Sequence, residues 1–148
     1  MHFAVRWIHV FSMSLLVGGA ALMYITCHLA KSEPLIDRSL LRLLYGYEIV
    51  FWVAIGLMVM SGIGNLGTFG NALPNLQTAW GMKLLIKLIL VVTLTLCALV
   101  RTFVVYRISL ADVCNRSISW LQVMERFYVA TLLLLAVILT FALGLAHG

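Results

Sequence analysis

Charge is the scarcest commodity in this chain. Of its 148 residues 10% are Asp, Glu, Lys or Arg, whereas 64% are hydrophobic. A water-soluble domain of that size cannot cover its surface with so few polar side chains. There are only two prolines, Pro34 and Pro74, and neither falls inside a long apolar run. The three cysteines, Cys27, Cys97 and Cys114, have no C-x-x-C or C-x-x-C-H spacing, which argues against a zinc ribbon and covalently attached c-type haem. Their odd number argues against a disulfide framework, and buried or interfacial thiols are the expectation. No internal repeat, low-complexity segment or glycine-rich phosphate loop is present. The apolar runs lack the period-two alternation of a membrane β-barrel. Ten basic residues against five acidic ones give a net charge of +5. The basic residues flank apolar runs, so they read as orientation signals and not as a nucleic-acid surface.

What is abundant is apolar length. Crossing a hydrocarbon core of about 30 Å takes roughly 20 apolar residues in a helix. Four spans, at about 7–29, 46–66, 80–106 and 120–146, meet that need and leave no room for a separate soluble domain. The expected fold is all-α, an integral membrane four-helix bundle formed as a single domain by residues 1–148. Arg6 ahead of the first run resembles a signal peptide, but the run is too long and lacks an evident cleavage site, so it reads as a permanent span. The connection after the first span holds Lys31, Arg38 and Arg42; the one after the third holds Arg107, Arg116 and Arg126. The middle connection is uncharged. The positive-inside rule then puts both termini on the outer, periplasmic side of a bacterial inner membrane. Trp7 and Trp80 fall near the outer boundary and Trp120 near the inner one. Pro34 is a plausible first residue of a short interfacial helix, and the second span is expected to break between Gly62 and Gly67.

Ionisable residues inside spans mark the candidate site. Lys87 and Arg101 are fourteen residues apart, roughly 21 Å along a helix, which is shorter than the core. Either their long stems snorkel to the two surfaces or at least one finds a partner inside. Lys83, Lys87 and Arg101 share a face, which favours the bundle interior. Glu48 is the expected partner of Arg101 or Arg42. His9 lies at nearly the depth of Lys87 in the parallel first span, so the two can meet. An imidazole and a desolvated amine can bind iron or copper or carry protons. An apolar bundle interior with ligands on opposite helices suits haem b, with Arg6 or Lys83 pairing the propionates. A copper relay through His9, His2 and Met13, with thioethers of Met58 and Met60, is the alternative. His28 is too far away to share that metal. The Gly18-Gly19-Ala20-Ala21 run permits either close helix packing or the approach of a flat macrocycle.

Three stretches carry a family resemblance: Trp7-Ile8-His9 followed by Gly18-Gly19, Phe51 to Gly64 closing in Ser-Gly-Ile-Gly-Asn, and Gly81-Met-Lys-Leu-Leu-Ile-Lys87-Leu88. Together they resemble the copper-resistance protein D (CopD) superfamily and the HemJ-type membrane protoporphyrinogen oxidases similar to it. The HemJ-type pattern has a first-helix histidine ten residues before a glycine, matched by His9 and Gly19, and a third-helix Lys-Leu, matched by Lys87 and Leu88. The resemblance implies that His9 and Lys87 are haem b ligands; the CopD side implies copper handling in the bacterial inner membrane. Leu16, Val17 and Gly18 depart from the Trp, Phe and Ala of the HemJ pattern, and its later first-helix arginine is missing. The resulting expectation is a haem b redox protein, and if an enzyme, a haem-dependent oxidoreductase. Its anticipated partners are the lipid bilayer, a quinone or porphyrin-like substrate, and a homo-oligomer or larger respiratory or photosynthetic complex. Copper transport and a non-catalytic accessory subunit remain the alternatives.

Overall fold

In the computed structural model, residues 2–32, 38–66, 79–110 and 118–146 are described. They form four long helices: α1 (His2–Leu29), α2 (Arg38–Leu66), α3 (Ala79–Leu110) and α4 (Ile118–Ala146). A 3₁₀ turn, Ala30–Ser32, follows α1. Each helix is long and apolar enough to cross a membrane, with candidate spans Phe3–Leu29, Ser39–Ile63, Gly81–Ser109 and Trp120–Leu143. The chain therefore has the build of a multi-pass membrane protein. α2 starts at Arg38, well before the apolar run that advertises it, so Arg38 to Tyr45 belong to the long helix and not to a separate interfacial one. At its other end α2 continues through Gly62 and Gly64 and finishes at Leu66, inside the interval where the sequence expects the break. Backbone hydrogen bonds within a helix tolerate glycine where neighbouring helices support it. Pro34, Pro74, Cys114 and Arg116 lie outside the described residues.

α1 packs on α2 and α4, and α3 packs on α4 and more lightly on α2. α1 and α3 make no direct packing contact and face each other across the bundle. Buried residues recur every three or four positions along α1 and along α3 from Leu94 onward, as helix-on-helix packing requires. On α1 they are Ser12, Leu16, Ala20, Met23 and Cys27; on α3, Leu84, Leu94, Ala98, Arg101, Val105 and Ile108. Outward faces are apolar too: Phe3, Val10, Leu22, Ile63, Val92, Phe103 and Leu133 are all exposed. Such a surface suits hydrocarbon and not water. Hydroxyls on these faces spend their proton on their own helix, as Ser14 does on the Val10 carbonyl, Thr26 on Leu22 and Thr93 on Ile89. Cys27 is buried and both Cys27 and Cys97 are free thiols.

At Gly19 the Tyr47 ring of α2 lies directly against the α1 backbone. A Cβ built there would stand 2.5 Å from Tyr47 Cε2, whereas one built at Gly18 meets nothing within 4 Å. The room made by Gly19 is filled by the Tyr47 ring.

Candidate functional site

His9 sits two turns into α1, half-buried, and its Nδ1 lies 2.9 Å from Ser61 Oγ on α2. Ser61 Oγ also lies 3.0 Å from the Met58 carbonyl. A serine hydroxyl owns one proton, which either the Met58 carbonyl or His9 Nδ1 can accept. In the tautomer protonated at Nδ1, the histidine donates to Ser61, Ser61 donates to Met58, and Nε2 holds the lone pair. A histidine oriented through one nitrogen and basic at the other is the arrangement that metal-binding imidazoles use.

Lys87 lies across the bundle on α3 and is half-buried. The described residues contain two carboxylates, and both are committed elsewhere: Glu48 to Arg101, and Glu125 to His28 and Lys31. Lys87 is thus a half-buried cation with no carboxylate partner among the described residues. Arg6 is exposed one turn outward from His9. Lys83 is half-buried one turn outward from Lys87. Met13, one turn inward from His9, packs against the core. His2 begins α1, and its side chain lies outside the described positions. Met58 is buried, but Met60 is 73% exposed and turns away from the interior. No group of three His, Cys, Asp or Glu side chains gathers in metal-binding geometry among the described residues.

A second polar centre occupies the middle of the bundle. Arg101 is wholly buried, so it does not snorkel. Its Nε donates to Glu48 Oε1 at 2.7 Å, its Nη2 to Glu48 Oε2 at 3.2 Å and its Nη1 to Thr131 Oγ1 on α4 at 3.0 Å. Thr102 Oγ1 donates to Glu48 Oε2 at 2.6 Å and accepts from Trp52 Nε1 at 3.0 Å. The guanidinium carbon lies 4.3 Å from the Phe51 ring centroid, 5.1 Å from Tyr128 and 5.3 Å from Tyr47. An ion pair in hydrocarbon survives only when both charges are neutralised and their hydrogen bonds are met. Here the carboxylate accepts three hydrogen bonds, and three aromatic faces meet the cation. The Tyr47 and Tyr128 hydroxyls are buried without a hydrogen-bond partner among the described residues.

The sequence narrows the partner of Glu48 to Arg101 or Arg42, and the structure selects Arg101. Ser61, Thr131, Thr102 and the aromatic cage carry no such signal, being ordinary residues of membrane helices. Comparison with protein-family models, curated proteins and solved structures yields no match.

Proposed function

We propose that this chain is a bacterial inner-membrane protein that binds haem b in the outer half of its bundle and serves electron transfer or oxidation of a lipophilic substrate of quinol or porphyrinogen type. The observation that carries the reading is the His9 imidazole, held through Nδ1 by Ser61, so that its other nitrogen, Nε2, takes no part in that contact. The donor set suits a macrocycle better than a bare ion. A porphyrin supplies four nitrogens and asks the protein for one or two axial ligands, whereas structural and catalytic metal ions take three or more protein donors. His9 offers one such nitrogen and Lys87 a second base, while the outward-turned Met60 weakens the copper alternative.

In this reading His9 would hold the haem iron through a ring nitrogen, and Lys87 would be a second nitrogen donor or the amine that holds and releases a proton beside the substrate. Arg6 and Lys83, one turn nearer the surface, pair with the propionates. Bound there, haem supplies one-electron redox chemistry. The apolar outer faces admit a lipophilic substrate from the bilayer. The basic connections lie in the cytoplasm and both termini outside.

The test is an optical spectrum of the protein purified from membranes with haem supplied, oxidised and then reduced with dithionite. A Soret band that shifts on reduction, and that disappears in His9→Ala while the variant still purifies as a folded protein, is the expected result. A folded wild-type protein without a Soret band overturns the proposal. Copper recovered in metal analysis of that colourless protein then moves the assignment to the ion.

A further inference from the structure

On its outside the bundle carries a groove of about 460 Å³ between α1 and α4, walled by Val17 and Tyr24 on one helix and Val129, Leu133, Ala136 and Leu139 on the other. From Val129 to Leu139 is ten residues, about 15 Å of helix. That is half of a hydrocarbon core about 30 Å thick, the depth one leaflet's acyl chain occupies.

The groove has a charged end. On α4 the walls Val129, Leu132, Ala136 and Leu139 lead back to Glu125, whereas Val129 and Leu133 lead back to Arg126, so both charges stand one turn below the first apolar wall, with the arginine at the groove's exposed Leu133 edge. Arg126 is exposed and forms no ion pair among the described residues. Across from it the Tyr24 and His28 rings stack at 6.0 Å with 29° between their planes. The one acidic side chain described nearby, Glu125, is held by His28 Nδ1 at 2.8 Å and by the Lys31 ammonium. Its charge is thereby answered within the protein, and the Arg126 guanidinium is left in excess at headgroup depth. Trp120, exposed two turns further along α4, belongs to the same boundary zone. A fluid zwitterionic lipid needs no such cation; a phosphate with net negative charge matches a guanidinium fork.

We propose that this groove is a binding site for an anionic phospholipid, with one acyl chain between α1 and α4 and the phosphate on Arg126. The site is separate from the His9 centre and does not depend on haem.

The test uses the full chain in detergent micelles, supplied with phosphatidylglycerol or phosphatidylcholine of identical acyl chains, with bound lipid counted by native mass spectrometry. The wild type is expected to retain one phosphatidylglycerol about fivefold more strongly than phosphatidylcholine, the preference one basic side chain confers near a membrane surface. Arg126→Gln is expected to bring that ratio close to one. Ala136→Phe, which fills the groove from an exposed position, is expected to lower retention of both lipids. Equal retention of the two lipids by the wild type, or an unchanged ratio in Arg126→Gln, overturns the proposal. So does full retention by Ala136→Phe, or a protein dimer that Ala136→Phe dissolves, which assigns the groove to a second copy.

Discussion

At the scale of the single residue, two positions separate packing from chemistry. Gly19 and Gly18 are adjacent glycines with different surroundings, since only at Gly19 does a Cβ collide with the Tyr47 ring. Gly19→Ala forces that ring, which sits under Arg101, to move, at a cost of about 1–3 kcal/mol for overpacking. Gly18→Ala meets open space and removes backbone freedom from the unfolded chain. Thermal unfolding in detergent should therefore show a clear loss for Gly19→Ala and none for Gly18→Ala; equal losses would mean that α1 does not approach α2 as described. Ser61 is the chemical counterpart. If His9 ligates haem, Ser61→Ala frees Nδ1 to choose its tautomer and ring orientation, and haem affinity should fall about 10- to 100-fold in a spectral titration while the helices stay folded. Neither Ser61 nor the Gly19 contact can be read from the sequence. His9 announces itself as an ionisable group in an apolar run, but the residue that clamps it lies 52 positions away and looks like any helix serine.

At the scale of the element, the polar core does what apolar contact does elsewhere. α2 and α3 pack on each other less than the other neighbouring pairs do, yet Glu48, Arg101, Thr102 and Trp52 cross that seam with four hydrogen bonds. Thr131 brings α4 into the same network. Removing one charge strands the other in hydrocarbon, so Arg101→Met and Glu48→Leu should each destabilise the bundle by about 3–5 kcal/mol. The double variant, which strands neither, should recover most of that loss. Unfolding measurements on the three variants decide the point: a double variant as unstable as the sum of the singles would show that the side chains act independently. Sequence reasoning reaches the pairing because Lys87 and Arg101 are too close together along α3 for both to escape the core unaided. It does not reach the third helix or the cage of Tyr47, Phe51 and Tyr128, because hydropathy records that a residue is buried and not which neighbours surround it.

For the whole molecule, length and hydropathy were enough to mark all four helices, since each sums a weak preference over about 20 residues. The start of α2 is less visible: the helix extends back to Arg38 through a stretch of mixed polarity whose helical state does not depend on apolar content. The arrangement about the bundle axis is not encoded in hydropathy at all, and the placement of α1 diagonal to α3 decides which donors face across the interior and which touch. Sidedness, by contrast, rests on charge alone. Lys31, Arg42, Arg107 and Arg126 all lie at one end of the bundle, where α1 and α3 finish and α2 and α4 begin. Only Arg6 and Lys83 stand near the other end, together with the half-buried Lys87. If the positive-inside rule governs insertion, a reporter enzyme that folds only after export should be active when fused after Gly148 or inserted at Asn71, and inactive at Asp112. A fluorescent protein that matures only in the cytoplasm should give the opposite pattern. Activity of the exported reporter at Asp112 would turn the molecule over, placing His9 and Lys87 toward the cytoplasm and the Arg126 groove in the outer leaflet. Any haem, substrate or lipid would then have to reach its site from the other side.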